Sequence, residues 1–410
     1  MKKLTRSMIL ILLVLPVFLM AIPARVEASG KAFSNDLIQL TWFYKPPSSG
    51  DMATAAQYFD NFILTRNDED ARDDLQGLGV DTPFIQYYLS NAIHNPGPNN
   101  CTAQPWANNV ADQPGDYCWI RDNHPDWFLK DSSGKAVQMN DGGQYVVFMD
   151  PRSTGWQQFF VSRLIERQQT HGWDGLFLDN VDGGLQRYRN LGVTLKDYKT
   201  DASYVTGMAA FLSAVHNGYQ HPTDRPIFAN ITEMADNATW YTYLEYLDGA
   251  MDEGWGVDWH NGYVSTWEWQ ENIERAQQTQ ALGKRIILVS QADSRDNYDR
   301  QDFAFASYLL TANHLASFRY AGYDYYDEAW IYDNYNTQLG EPQGDAYQQD
   351  GTWRRDFDAG YVTVNPQTHS AAIVVTDTLP TPPPPTNPYI PPVDGSEQHI
   401  FLPLLSSPAW

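Results

Sequence analysis

Short apolar runs alternate with longer amphipathic segments along most of the chain. The apolar runs are rich in β-branched and aromatic residues and end in polar or turn-forming residues, which is typical of buried strands in a parallel sheet. The longer segments space their apolar residues along one face of a helix, as Trp156, Phe160 and Leu164 do. The runs that lead into helices are 36–43, 61–65, 80–89, 175–179, 226–231, 247–253, 285–290 and 316–320.

These eight strand and helix units in succession predict an α/β fold, a (β/α)8 (TIM) barrel within residues 29–338. The usual length of such a barrel is about 250 residues, and insertions extend it. A doubly wound sheet is the alternative, less favoured because no glycine-rich phosphate turn follows the first strand. The run at 145–149 is interpreted as an extra strand or as the lead-in to the helix after it.

Three segments fall outside these units. Residues 90–143 are a long insertion between the third strand and the third helix, predicted as a loop that walls the top of the fold, because structureless loops of this length are uncommon unless functional. Residues 339–376 predict a small C-terminal β extension packed on the barrel. Residues 377–410 are a proline-rich linker and an apolar tail, which could attach the protein to the cell surface.

The first 28 residues predict a secretory signal peptide. Lys2, Lys3 and Arg6 precede an apolar run at 8–22, and small residues before position 29 suit a signal peptidase. The apolar run is short for a membrane span, although an uncleaved anchor helix is the alternative. We therefore expect a secreted protein, extracellular or at the cell surface, with no membrane span after cleavage.

The amino-acid composition indicates which classes of partner the protein is suited to bind. A formal net charge of −23 disfavours nucleic acid and anionic lipid and favours neutral or cationic substrates, although solubility alone can explain many acids. The 14 tryptophans and 25 tyrosines suit either sugar-binding surfaces or core packing. Cys101 and Cys118 predict one disulfide in an oxidising compartment, worth about 3 kcal/mol, with free thiols as the alternative.

Most cofactor-dependent and nucleophilic chemistries lack their motifs. The nine histidines form no HExxH, and the chain has no GxSxG elbow, Walker loop or GxGxxG turn. Two cysteines cannot make a structural zinc site, and acids around Asp293 lack the spacing of a calcium loop. We expect neither cofactor nor metal, which leaves acid and base chemistry by Asp and Glu.

Two strands end in acids that could work as a pair. Glycoside hydrolysis requires two carboxyl groups across one cleft, and the carboxyl ends of barrel strands meet in one bowl. Asp179 ends the fourth strand and is the predicted nucleophile; Glu253 ends the sixth, beside Trp255, and is the predicted general acid with a raised pKa. A strand-end cap is the alternative for Asp179, and Asp252 competes with Glu253 as the acid.

Other residues near the predicted strand ends are candidate substrate contacts. Trp259 and Trp267 are further candidates for stacking on sugar rings. The substrate-binding prediction comprises Trp42, Tyr44, Tyr87, Asp150, Asn180, Asp182, Asn230, Trp255 and Gln291.

Four motifs carry a resemblance to a known family: WDGLFLDNVD (173–182), DGAMDEGW (248–255), HPDWFLKDSSGK (124–135) and the segment 340–366. The chain resembles bacterial glycoside hydrolases of hypothetical glycosyl hydrolase family 15 from about Leu37 to Val375, and its first two motifs also resemble the secreted endo-α-1,4-polygalactosaminidase family. The resemblance implies a (β/α)8 fold and a retaining or inverting hydrolase that uses Asp179 and Glu253.

The leading hypothesis is a secreted glycoside hydrolase that cleaves O-glycosidic bonds of an extracellular polysaccharide, with α-linked or amino sugars as candidates. A non-catalytic carbohydrate-binding barrel at the cell surface is the alternative, and a surface-attached structural protein is a third. Sugar identity, linkage, endo or exo action and stereochemistry do not follow from the sequence.

Overall fold

The computed structural model describes residues 31–376 apart from residues 98, 107, 142, 235, 259–261 and 323. The predicted signal peptide and the predicted linker and tail lie outside the described residues. Within them, no helix is both long enough and apolar enough to cross a membrane.

Some strands of the described residues are separated by helices, and others follow one another directly. The strands are β1 (Thr41–Tyr44), β2 (Asn61–Leu64), β3 (Phe84–Leu89), β4 (Ala92–Asn95), β5 (Gln138–Asp141), β6 (Gln144–Phe148), β7 (Gly175–Asp182), β8 (Ile227–Thr232), β9 (Gly249–Asp252), β10 (Val257–Asp258), β11 (Gly262–Tyr263), β12 (Arg285–Ala292), β13 (Ala316–Gly322), β14 (Tyr347–Gln349), β15 (Thr352–Phe357), β16 (Gly360–Asn365) and β17 (Ser370–Val375).

A π-helical turn, His216–Gln220, joins the sixth α-helix to the seventh, and a 3-10 turn spans Asp333–Asn336. The α-helices are α1 (Met52–Tyr58), α2 (Glu69–Gly77), α3 (Asp116–Asn123), α4 (Thr154–His171), α5 (Gln186–Asn190), α6 (Asp201–Val215), α7 (His221–Thr223), α8 (Asn237–Leu244), α9 (Thr266–Ala281) and α10 (Tyr298–Thr311).

Eight parallel strands form one sheet, in the order β1-β2-β3-β7-β8-β9-β12-β13. A parallel bridge between Leu40 and Phe318 brings the first and last strands together, and the Phe318 amide donates to the Gln39 carbonyl at 2.9 Å. The predicted (β/α)8 barrel is therefore confirmed, with all eight strands in the predicted places. The run at 145–149 is an extra strand, β6, outside the barrel.

The barrel has two apolar layers because successive strand residues face opposite sides. Inward-facing residues such as Phe177, Phe228 and Met251 pack on one another inside the barrel. Outward-facing residues such as Leu176 and Leu178 belong to the larger core between strands and helices.

The Asp-Gly pairs that open β7 and β9 have a structural cause. Asp174 accepts the Phe84 amide at 2.9 Å, and Asp248 accepts the Ile227 amide at 2.8 Å, so each aspartate ties its strand to the neighbouring one. A Cβ on Gly249 would overlap the Arg285 carbonyl oxygen, so only glycine fits there. The pair marks the start of a barrel strand.

The long insertion is structured, which corrects the prediction of a loop. It contains α3, β4 and β5, and the two strands form an antiparallel sheet with β6, which directly follows the insertion, in the order β4-β6-β5. The predicted disulfide is present: Cys101 and Cys118 are bonded, with Cα atoms 5.7 Å apart.

The C-terminal extension is a four-stranded antiparallel sheet, β14-β15-β16-β17. The buried Arg355 donates to the carbonyls of Leu309 and Ala312, at 3.1 and 2.7 Å, where α10 ends. A cation at a helix C-terminus satisfies free carbonyls and the helix dipole, so this contact fastens the sheet to the barrel.

Candidate active site

Strand alternation places a polar layer above the inner apolar core at the carboxyl end of the barrel. In β7, β8 and β12 and just beyond β9, an inward-facing apolar residue is followed two positions later by a polar one. Because the side-chain period of a strand is two, each polar residue projects into the barrel mouth. The pairs are Phe177 with Asp179, Phe228 with Asn230, Met251 with Glu253, and Val289 with Gln291.

A β-bulge shapes the end of β7 directly after Asp179. Asn180 has a left-handed backbone (φ 55°), and the register of β7 against β8 shifts between Leu178 and Val181. Asparagine tolerates this conformation better than most residues, and bulges are frequent beside active sites. The Arg187 guanidinium holds the Asn180 side-chain oxygen at 2.8 Å, which fixes the bulge.

A cavity of about 780 Å³ opens above this polar layer. Asp179, Asn230 and Glu253 line it, and Tyr44 and Tyr87 form an aromatic wall with ring centroids 5.1 Å apart. Tyr44 and Glu233, which also line the cavity, have left-handed backbones, with φ of 86° and 55°. Such strained residues cluster at functional sites.

One amide joins the two acids. The Asn230 Nδ2 group donates to Asp179 Oδ1 at 3.0 Å and to Glu253 Oε2 at 2.7 Å. The separation of the two accepting oxygens therefore cannot exceed the sum of these two distances. Asp179 and Glu253 form one close pair.

The remaining partners of the two acids differ. The Tyr87 hydroxyl donates to Asp179 Oδ2. Gln291 Nε2 donates to Glu253 Oε1 at 3.2 Å and to the Tyr326 hydroxyl at 3.0 Å. Asp179 thus accepts hydrogen bonds from one hydroxyl group and one amide, whereas Glu253 accepts hydrogen bonds from two amides.

These environments shift the pKa of both acids. Burial, and after it the charge of Asp179, raises the pKa of Glu253 to about 8. Burial also raises the pKa of Asp179, while hydrogen bonds from Tyr87 and Asn230 act to lower it. Burial and the neighbouring charge of Asp179 therefore favour a protonated Glu253 at neutral pH.

Asp252, the rival of Glu253, also borders the cavity, but its carboxylate is held by other partners. Strand alternation turns its side chain away from the barrel interior, and its carboxylate pairs with Arg275 of α9 at 2.5 Å. It also accepts the Gly254 amide at 3.1 Å. The geometry therefore favours Glu253 over Asp252 as the acid of the pair.

Two of the predicted stacking residues are buried, and their prediction as substrate contacts is wrong. Trp42 and Trp255 have no exposed surface. The Trp42 ring lies against the guanidinium of Arg319, 4.2 Å from its centroid, and Trp255 donates to the Ala304 carbonyl at 3.0 Å. Both face the helices, so neither can stack on a sugar.

Other predicted contacts also lie outside the cavity. Asp182 has no exposed surface and pairs with Arg187 at 2.8 Å, while Asp150 accepts the Tyr198 hydroxyl; neither lines the cavity. Gln291 is buried but touches Glu253, so it supports the site without lining it. Tyr44, Tyr87, Asn180 and Asn230 do line it.

Of the two further stacking candidates, Trp259 lies outside the described residues. Trp267 is 67% exposed and borders a neighbouring cavity of about 230 Å³.

Several lining residues escaped the sequence analysis because they come from loops. Tyr326 lies in the aromatic segment after β13, a cluster that could have drawn attention to it. Trp106 lies in the insertion, where nothing in the local pattern marked it. The lining residues that were not predicted include Lys45, Trp106, Asn108 and Tyr326.

Within the described part of the chain, no group of three or more His, Cys, Asp or Glu residues could hold a metal ion.

Several solved structures are distantly similar to this chain. They include the glycoside hydrolase domain of PelA from Pseudomonas aeruginosa (15% identity, 72% of this chain and 97% of that chain, TM-score 0.45). Another is the dextranase FjDex31A from Flavobacterium johnsoniae (11% identity, 73% of this chain and 38% of that chain, TM-score 0.45). A third is the maltogenic α-amylase AmyB from Thermotoga neapolitana (9% identity, 81% of this chain and 86% of that chain, TM-score 0.44). A comparison with curated proteins finds no match.

The family comparison covers the site itself. The model of hypothetical glycosyl hydrolase family 15 matches residues 87–361, which is more than half of the chain and includes both acids. The chain therefore belongs to hypothetical glycosyl hydrolase family 15 and is a glycoside hydrolase.

Proposed function

We propose that this protein is a secreted glycoside hydrolase that cleaves O-glycosidic bonds of an extracellular polysaccharide. Asp179 is the nucleophile, and Glu253 is the general acid and then the general base. The observation that carries the proposal is the amide of Asn230, which contacts both carboxyls at 3.0 and 2.7 Å at the floor of an open cavity.

The closeness of the pair favours retention of anomeric configuration. Retaining enzymes hold their carboxyl groups about 5 to 5.5 Å apart, and inverting enzymes about 6.5 to 9.5 Å to admit a water molecule. The two oxygens that share the Asn230 amide can be no farther apart than the sum of its two hydrogen-bond distances, which is nearer to the retaining spacing than to the inverting one. A direct attack by Asp179 on the sugar is therefore the better fit.

The different hydrogen-bond partners support the division of roles. Glu253 has the pKa of about 8 that a proton donor at neutral pH requires. Asp179 receives the Tyr87 hydroxyl and the Asn230 amide, and both bonds stabilise its ionised form. Tyr87 keeps its proton for this bond, since burial raises its pKa well above the usual value.

In the first step, the Asp179 carboxylate forms a bond to the anomeric carbon while Glu253 gives its proton to the departing glycosidic oxygen. In the second step, the Glu253 carboxylate takes a proton from water, whose oxygen attacks the same carbon and releases Asp179. After the first step Asp179 is esterified and Glu253 carries the negative charge, and the second step restores an ionised Asp179 and a protonated Glu253.

Secretion is supported by the leader pattern and by the bonded cysteines. Disulfides persist in oxidising compartments and are rare in the cytosol. The full chain, expressed in a bacterial host, should therefore be found outside the cytoplasm with its N-terminus near Ser29. N-terminal sequencing checks this.

The function is tested by release of reducing ends from four polymers: dextran, soluble starch, an α-linked galactan and an α-1,4-linked galactosamine polymer. We expect the protein to cleave at least one, and Asp179→Asn and Glu253→Gln to abolish that cleavage. Asp150→Asn is the matched control, because Asp150 lies outside the cavity.

The outcomes separate the catalytic function from binding alone. Unimpaired hydrolysis in either active-site variant would remove that residue from the mechanism. Retention of a polymer without its hydrolysis would indicate a non-catalytic carbohydrate-binding barrel.

A further inference from the structure

Trp106 stands apart from the other tryptophans whose side chains the structure describes. Most of these are buried, and the exposed ones are Trp106 (38%), Trp119 (45%) and Trp267 (67%). Among the described residues that line the catalytic cavity, Trp106 is the one tryptophan. A large aromatic ring is thus left partly in water beside the two acids.

The contacts of Trp106 leave ring surface free for a ligand. The buried His94 of β4 meets it with ring centroids 5.5 Å apart and planes inclined at 64°. An edge-to-face contact of this kind covers at most one face of the indole. The remaining apolar surface suits the C–H face of a pyranose ring, as flat aromatic surfaces generally do.

The segment that carries Trp106 is fastened to the barrel. The Leu89 amide, at the end of β3, donates to the Asn108 carbonyl at 2.6 Å, and Leu89 stands opposite Asp179 in the sheet. On the other side of the tryptophan, the Arg66 guanidinium donates to the Pro105 carbonyl. Trp106 is thereby held between two anchors, one of them next to the strand end that bears the proposed nucleophile.

Further contacts hold the rest of this segment. The disulfide between Cys101 and Cys118 closes it at both ends. Inside the closed segment, Asp112 pairs with Arg167 at 2.9 Å, and Gln104 donates to the Asp112 carbonyl at 3.0 Å. A ring fixed in advance binds its ligand without the cost of ordering a loop.

We propose that Trp106 forms a sugar-binding subsite that stacks on one pyranose unit of the polysaccharide, beside the units joined by the bond that is cleaved. The disulfide holds this subsite in position. The inference rests on the proposed function and extends it, because it assigns polymer affinity to the insertion and bond cleavage to the barrel.

The test uses Asp179→Asn protein, which can bind without cleaving, in native gels that contain each of the four polymers named above. We expect at least one polymer to retard it, and Trp106→Ala in the same background to weaken that affinity about tenfold. Trp106→Phe should retain most of the affinity because the flat ring remains. Trp119→Ala is the matched control, since Trp119 is equally exposed but does not line the cavity.

A separate pair of variants tests the role of the disulfide. Replacing both cysteines by serine should weaken retardation less than Trp106→Ala does, because the two anchors at Leu89 and Arg66 remain. The same replacement should add nothing in the Trp106→Ala background, since the disulfide acts through this ring. Additive losses would contradict the positioning role. Melting temperatures recorded for each variant separate lost affinity from lost folding.

In catalytically active protein, Trp106→Ala should raise KM for the cleaved polymer about tenfold and leave kcat within about twofold. Retardation that survives Trp106→Ala, or that Trp119→Ala abolishes equally, would contradict the subsite alone. Absence of retardation by all four polymers would contradict the proposed function together with the subsite.

Discussion

The strand ends β7 and β9 begin alike and finish differently. Each starts with Asp-Gly, where the aspartate binds the backbone of the neighbouring strand. Four residues beyond that glycine, β7 places Asp179 and the β9 unit places Glu253 in the barrel mouth. One structural pattern therefore delivers both acids to one site.

The difference lies in what surrounds each acid. β7 bulges at Asn180 and gives Asp179 a hydroxyl partner, Tyr87. β9 turns Asp252 outward to Arg275 and leaves Glu253 with amide partners, Asn230 and Gln291. Similar strands thus supply both the carboxylate that we propose as the nucleophile and the carboxyl group that we propose as the proton donor.

The largest effect should follow from removing the β7 acid. Asp179→Asn deletes the negative charge that attacks the sugar but keeps an amide of similar size, so we expect kcat to fall by at least about 10³-fold. The melting temperature should hold or rise, because a buried carboxyl is removed. Polymer hydrolysis measures kcat, and thermal unfolding measures the melting temperature. An unchanged kcat would contradict the role of Asp179.

Removing the β9 acid should have an effect that depends on the leaving group. Glu253→Gln cannot give a proton, so polymer cleavage should fall about 10²- to 10⁴-fold. An aryl glycoside of the same sugar with an acidic phenol needs little protonation, and the bond-breaking step should be much less affected. Pre-steady-state release of the phenol measures that step. Equal losses on both substrates would argue against Glu253 as the proton donor.

The bridge between the two strands should matter less than either acid. Asn230→Ala removes one donor that serves both carboxyls, and hydrogen bonds to charged groups contribute about 1.5 to 3 kcal/mol. We expect kcat/KM to fall about 10- to 100-fold. The conservative Asn230→Gln variant should recover part of the loss if it can place an amide between the acids. A kcat/KM equal to that of wild type in Asn230→Ala would contradict the bridging role.

The pH dependence of activity should report Glu253. Activity needs its protonated form, so kcat/KM should decline as pH rises through about 8. A pH profile with the aryl glycoside should lack most of this alkaline limb, since little protonation is needed there. An alkaline limb near 8 that is equally strong for both substrates would argue against this assignment.

The pH dependence of stability should be smaller and has a defined sign. The folded protein holds a proton on Glu253 that the unfolded chain releases above about 4.5, the ordinary pKa of the group. The resulting stability is complete below pH 4.5 and is lost as pH rises to about 8. Asp60, with a pKa raised to about 6 by burial, adds a slope of the same sign at lower pH. Denaturant unfolding at several pH values should show a shallower decline in Glu253→Gln than in wild type.

The predictability of the fold and the site follows from strand physics. The barrel strands were predictable because runs buried on both sides are apolar throughout, and Asp179 was predictable because it ends such a run. The choice of Glu253 over Asp252 depends on strand parity: Met251 faces inward, so position 253 does too. The same two-residue step leads from the inward-facing Phe177 to Asp179 in β7.

The aromatic contacts could not be predicted in this way. Trp42 and Trp255 stand beside strand ends in the sequence, but both face the helices, and burial by those helices is a tertiary effect. Trp106 and Tyr326 reach the cavity through loops whose course depends on a disulfide and on distant partners such as Arg66 and Arg319. No local pattern contains that information.

The central claim is that two bridged carboxyls act as nucleophile and proton donor on one glycosidic bond. Proton NMR of the first product released from a cleaved polymer tests it most directly, since spectra taken before mutarotation show the anomer as it leaves the enzyme. The account predicts the same anomeric configuration as in the bond that was cleaved. An inverted first product would contradict it.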